Sequence, residues 1–75
     1  MKSKIEMYVA QEIRNRRNNK KMSQRYIADC LNVSQPFIQQ MESPTNERAF
    51  NLDHLNELAK ILGCSPRDFL PKAPL

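Results

Sequence analysis

The chain has one glycine, no tryptophan, one histidine and two cysteines among its 75 residues, and each scarcity closes off a class of chemistry. With Gly63 as the single glycine, no loop can wrap a phosphate in successive backbone N–H groups, so phosphate-loop and dinucleotide-binding turns are excluded. Cys30 and Cys64 are too few for a disulfide framework, and without a third cysteine or a nearby histidine they do not make a zinc set. Cys64 reads as a small apolar filler. The lone histidine, His54, reads as a surface residue in a helix first turn rather than as a ligand. No apolar run approaches the ~20 residues of a membrane span. The opening MKSKIEMYVAQEI interleaves charges with apolar residues and so lacks a signal-peptide core. Paired carboxylates at a cleft and a Cys–His set are also missing. The expectation is a cytoplasmic protein with reduced thiols, no cofactor, no metal, no membrane contact and no enzymatic role.

What is present is basic charge, unevenly spread. The net charge is +4. Between Glu12 and Asp29 there is no acid, but there are Arg14, Arg16, Arg17, Lys20, Lys21 and Arg25; from Glu42 to Leu70 the acids outnumber the bases. A basic half beside a mildly acidic half suits a one-sided polyanion surface, and equally a solvated face. At 40% hydrophobic and 27% charged the chain should be ordered. At this length it should form one domain, residues 1–75, with a core over about 5–70 and an extended, proline-bearing tail over 71–75.

The periodicity is helical throughout, predicting an all-α fold. Ile5, Val9 and Ile13 share a face of a first helix, Ile5–Asn18. Ser23 caps a second, Gln24–Leu31, with Ile27, Ala28 and Leu31 on one face. Asn32 is suited to a left-handed turn residue. Ser34 caps a third helix carrying Phe37, Ile38 and Met41, with Pro36 in its first turn, where a missing N–H breaks no hydrogen bond. Residues 43–50 have no period and form a loop. Asn51 caps a fourth helix with Leu52, Leu55, Leu58, Ala59 and Leu62 inward, closed by Gly63. Ser65, Pro66 and Asp68 start a short fifth helix that Phe69 and Leu70 dock before Pro71 stops it.

The segment Ser23–Glu42 carries the functional signal. Two short helices joined by a tight turn, the second one polar outside, make a helix-turn-helix. Gln35, Gln39 and Gln40 are poor core material and are expected to point outward, where an amide can pair bidentately with adenine. Ile13 and Arg17, Met22-Ser23-Gln24, Ile27-Ala28, Leu31-Asn32-Val33-Ser34, Ile38, Met41-Glu42, Leu55, Leu58-Ala59, Leu62-Gly63 and Ser65 together resemble the phage-repressor class of helix-turn-helix regulators, the Xre and Cro family.

That resemblance implies a compact five-helix, lambda-repressor-like bundle that binds double-stranded DNA and regulates transcription, as a repressor. It implies that Gln24 holds a DNA phosphate and braces the recognition helix. It places Ser34 and Gln35 at phosphate and first bases, Gln40 at a later base, and Arg17 with Glu42 in a structural ion pair. Gln39 faces DNA or solvent. Thr45, Asn46 and Arg48 resemble a phosphate-gripping loop, with Glu47 offsetting its charge. Arg25 and Lys21 are further candidates for the DNA backbone, Lys21 with a solvated turn as its alternative. The chain departs from the pattern at Asn32 (commonly glycine), at Pro36 and Phe37 (commonly polar), and in a longer loop without glycine. Pro36 can offer only apolar contact to a base. Phe37 is either core, covering Tyr26, or a wedge against a thymine methyl; Tyr26 either stacks at the surface or donates to a phosphate. A homodimer on a two-fold site is expected, with half-sites about 34 Å apart, joined through Phe69, Leu70 and the tail or through the first helix. Two other readings stand beside this one: an antitoxin that binds a partner toxin as well as DNA, and a protein-interaction module on the same fold.

Overall fold

The computed structural model describes residues 1–75. Four α-helices follow one another, α1 Lys4–Asn19, α2 Gln24–Leu31, α3 Gln35–Glu42 and α4 Leu52–Leu62, then a single 3-10 turn, Pro66–Phe69; there are no strands. The all-α class is as the periodicity predicts. The fifth helix is corrected to one 3-10 turn. Pro66 begins it, and Pro71 drives the preceding Leu70 into an extended conformation (φ −105°, ψ 148°), leaving no room for an α-helical turn.

Side-chain caps set the boundaries. Ser23, Ser34 and Asn51 each accept a backbone N–H from three residues on, satisfying a donor that the helix start leaves free. The α1 start lies earlier than expected because Ser3 and Glu6 form a reciprocal capping box. Asn32 takes the left-handed conformation (φ 58°), and the Val33 N–H returns to the Ala28 carbonyl at 2.9 Å, which closes α2 and sets the corner between α2 and α3. Gly63 does the same after α4 at φ 68°. Lys21, after α1, is left-handed too.

The core is built from Val9 and Ile13 of α1, Ile27 and Ala28 of α2, Ile38 of α3, Leu55, Leu58, Ala59 and Leu62 of α4, and Phe69. Met22, Leu31, Val33, Phe37, Phe50, Ile61 and Cys64 pack around it. Helices α2 and α3 pack on each other; α1 braces α3, α4 braces α2, and the 3-10 turn rests on α1 and α4. Ala28 is almost wholly buried, as a small residue at a close helix crossing must be. Phe69 is fully buried, with the Arg16 guanidinium 5.9 Å from its ring centre.

Three residues expected inward are not. Leu52 is 78% exposed, Ile5 44% and Leu70 38%. Each lies at the end of its element, beyond the reach of the facing helix. All three line one apolar groove, with Val9, Phe50 and Leu55 beneath them.

Candidate nucleic-acid interface

The corner between α2 and α3 is held by a chain of hydrogen bonds that starts in the interior. Arg17 and Glu42 are 8% and 5% exposed. They meet in a two-point pair, Nε to Oε2 at 2.8 Å and Nη2 to Oε1 at 2.9 Å, while Arg17 Nη1 donates to the Met22 carbonyl at 2.8 Å. Each charge is thus matched by geometry that burial requires. Gln24 Nε2 donates to Glu42 Oε1 at 3.1 Å, and Gln35 Nε2 donates to Gln24 Oε1 at 2.8 Å. Four side chains from α1, α3 and α2 therefore form one path from the core to the first residue of α3.

Around that path the fold gathers several of the predicted residues. Gln24, Arg25, Ser34 and Gln35 line one depression together with Asp29, an acid among otherwise neutral or basic side chains. The N-termini of α2 and α3 both open nearby, each already capped by its serine. Gln24 and Gln39 share a second depression with Arg14, Glu42, Ser43 and Pro44. Sequence reasoning missed Arg14 as a site residue; the signal was its place in the acid-free basic run, on the exposed side of α1.

The amide face is less splayed than expected. Gln39 is exposed, whereas Gln35 and Gln40 are half-buried, Gln35 because Gln24 draws its amide in. Pro36 is exposed. Phe37 is half-buried, and the ring it meets is that of His54, edge-on at 5.7 Å, rather than that of Tyr26. Arg48 lies over the Phe37 ring at 5.9 Å from its centre, so the loop meets α3 there. Tyr26 is exposed beside Cys30, whose thiol raises the phenol above its ordinary 10.0.

His54 is a working cap. Its Nδ1 accepts the Asn51 N–H at 3.1 Å, standing where a capping box usually has a carboxylate or amide, and its ring also meets Phe50 at 6.1 Å. In the loop, Thr45 and Ser43 hydroxyls share a hydrogen bond and Asn46 Oδ1 accepts the Arg48 N–H. Thr45 and Arg48 are exposed; Asn46 is half-buried and Lys21 is exposed after α1. These residues do not join the depression around Gln24.

The loop has an anchor that no sequence pattern pointed to. Lys2 is 3% exposed. Its Nζ donates to the carbonyls of Gln40 at 3.1 Å, of Asn46 at 2.8 Å, and of Ser43. One ammonium thus ties the end of α3 to the loop that follows.

Cys30 and Cys64 are free thiols. No group of three His, Cys, Asp or Glu side chains converges to hold a metal, and no helix is long and apolar enough to cross a membrane.

Residues 13–69 match the sequence profile of the helix-turn-helix family. No curated protein sequence matches the chain. Among solved structures, the restriction-modification controller protein C.AhdI from Aeromonas hydrophila is similar over 85% of this chain and 94% of its own, at 23% identity and a TM-score of 0.73. The hydroxypropylphosphonic acid epoxidase from S. wedmorenis, in complex with fosfomycin, is similar over 96% of this chain at 22% identity and a TM-score of 0.80. HppE with cobalt(II) and substrate is similar over 93% at 23% identity and a TM-score of 0.79. This chain spans only 38% of each of those two longer chains. At such identities the likeness is one of fold.

Proposed function

The chain belongs to the helix-turn-helix family, in its Xre-like class of DNA-binding transcriptional regulators, and from that premise we propose that it is a sequence-specific repressor that sets α3 in the major groove. The observation that carries this reading is the hydrogen-bonded corner, in which Gln24 and Gln35 are joined and backed by a buried ion pair. A recognition element must arrive rigid, because each base contact is worth only a few kcal/mol and a floppy side chain loses much of it to ordering. An α-helix such as α3 is about 10–12 Å across with its side chains, a match to the ~12 Å width of the B-DNA major groove.

Affinity comes chiefly from Arg14, Lys21, Arg25 and Arg48, which displace counterions from the DNA backbone. Gln24, Ser34, Thr45 and Asn46 fix the register on phosphates. Gln35 and Gln40 read base edges, with Pro36 and Phe37 offering apolar contact and Gln39 a further amide. Arg17 and Glu42 stay structural. Residues 1–75 act as one non-enzymatic domain in the cytoplasm, and occupancy of the groove is enough to exclude a second protein from the same site. Two copies on a two-fold site are consistent with a longest molecular extent of 31 Å, close to the spacing of about 34 Å between successive turns. A protein partner, as in the antitoxin and interaction-module readings, is favoured by the groove of Ile5, Leu52 and Leu70.

Selection of bound sequences from random duplexes tests the proposal. A palindromic motif is the expected product. On that motif Gln35→Ala with Gln40→Ala should lose about 2–5 kcal/mol of binding, and little on unselected DNA. Indifference among duplexes, or equal losses on all of them, would sink it.

A further inference from the structure

We infer that Lys2 is a positioning residue for DNA: its buried ammonium clamps the loop after α3 onto that helix, so that the phosphate grip of Thr45, Asn46 and Arg48 and the base-reading face of α3 act as one body. This role rests on α3 and the loop meeting DNA as proposed, and it belongs to a residue that touches no DNA itself.

Donor and acceptors match in number. An ammonium carries three N–H groups and no acceptor, and a carbonyl only accepts. Lys2 is 3% exposed, and its Nζ donates to the carbonyls of Gln40, Ser43 and Asn46. The first lies in the last turn of α3, the second at its C-cap, the third midway along the loop. A buried charge is tolerable when its hydrogen bonds are all made, and here they are.

The candidate phosphate groups hang from those carbonyls. The Ser43 hydroxyl shares a hydrogen bond with that of Thr45 at 3.1 Å. Asn46 Oδ1 accepts the Arg48 N–H at 2.9 Å, and the Arg48 guanidinium lies 5.9 Å from the ring centre of Phe37 in α3. Lys2 therefore returns the start and middle of the loop to α3, and Arg48 returns its far side, while Thr45 and Arg48 stay exposed. Such order matters for this loop in particular. Glu47 cancels Arg48, so residues 43–50 carry no net charge and cannot hold a polyanion by field alone. Their contacts count only if they arrive in place, because a side chain on a mobile segment gives up much of its binding to ordering.

A double-mutant cycle between Lys2 and Arg48 tests this. Binding of the full chain to a short random-sequence duplex is followed by fluorescence anisotropy against salt, with folding checked by circular dichroism. Arg48→Ala should reduce the slope of log K against log salt by about 0.9, one phosphate contact, or about threefold in affinity between 50 and 200 mM. Lys2→Met should reduce it by about as much, although Lys2 is buried. In the Lys2→Met background, Arg48→Ala should change the slope by about 0.3 or less. Lys2→Gln keeps two of the three donors and replaces Lys2→Met in the cycle if the latter does not fold; the Arg48 effect should shrink there too. A purely stabilising Lys2, or one acting by its own charge, leaves the Arg48 effect undiminished in a folded Lys2 variant, and that result would overturn the inference with DNA reading by α3 intact. If Arg48→Ala changes nothing in the otherwise wild-type chain, the loop does not grip phosphate and the role of Lys2 falls. If the wild-type chain binds no duplex at all, the proposed function itself has failed.

Discussion

Asp29 and Lys2 show how much single charges matter on a molecule this small. Asp29 lines the same depression as Gln24, Arg25, Ser34 and Gln35, so a carboxylate sits where phosphate is proposed to dock. It opposes binding without reading any base. Asp29→Asn should therefore tighten binding to every duplex by about threefold at low salt, with the gain fading as salt rises; fluorescence anisotropy on specific and random duplexes would check this. A gain confined to one sequence would contradict the placement.

Lys2 is the reverse case, a charge working inside the protein. Three carbonyls accept from its Nζ, and burial lowers the ammonium below its usual 10.5, with Glu6 pulling the other way. Lys2→Ala leaves those carbonyls without their donor and should lower unfolding stability by about 1–3 kcal/mol, read from urea denaturation. Because the same nitrogen grips both α3 and the loop, the loss should come with faster amide exchange over 43–50.

At the scale of elements, short helices depend on their ends. Helices α2 and α3 have eight residues each, too few to persist alone in water, so caps and packing hold them. The α1 start is the clearest case. Glu6 accepts the Ser3 N–H at 2.8 Å and the Ser3 hydroxyl accepts the Glu6 N–H at 3.2 Å. The hydrogen bond from the Ser3 backbone, with help from its hydroxyl, pulls the Glu6 carboxyl below its ordinary 4.5. A carboxyl depressed in the folded state contributes stability above its unfolded value and loses it as pH falls through the folded one. Wild type should therefore lose melting temperature below about pH 4.5 more steeply than Glu6→Gln, which keeps an acceptor but does not titrate. Parallel melting curves for the two proteins across the acid range would remove this account.

At the scale of the whole molecule, the feature to test is the segregation of charge along the chain. The bases proposed to meet DNA, Arg14, Lys21, Arg25 and Arg48, come from α1, the turn after it, α2 and the loop; folding sets Arg14 in one depression with Gln39, Arg25 in one with Gln35, and Arg48 over Phe37. Four phosphate contacts per domain predict a slope of about −3.6 for log K against log salt, or about a hundredfold loss between 50 and 200 mM. Titration over that range measures it. A slope near zero would mean that these bases do not face the duplex.

The local part of this protein was written in its sequence. Ser23, Ser34, Asn51 and Gly63 mark helix ends where they stand, Asn32 makes its turn, and the spacing of Ile27, Leu55, Leu58 and Leu62 gives the buried faces, because caps and periodicity act within a few residues. The Arg17–Glu42 pair was reached only through resemblance. What tertiary structure alone decided lies where residues distant in sequence meet. Lys2 reaches Gln40, Ser43 and Asn46; Phe37 settles against His54; Gln24 draws Gln35 inward; and Ile5, Leu52 and Leu70, apolar and in phase, end up around an open groove because no neighbouring helix extends far enough to cover them. Pattern fixes which way a side chain points from its own helix, whereas what it then touches depends on how the other helices cross.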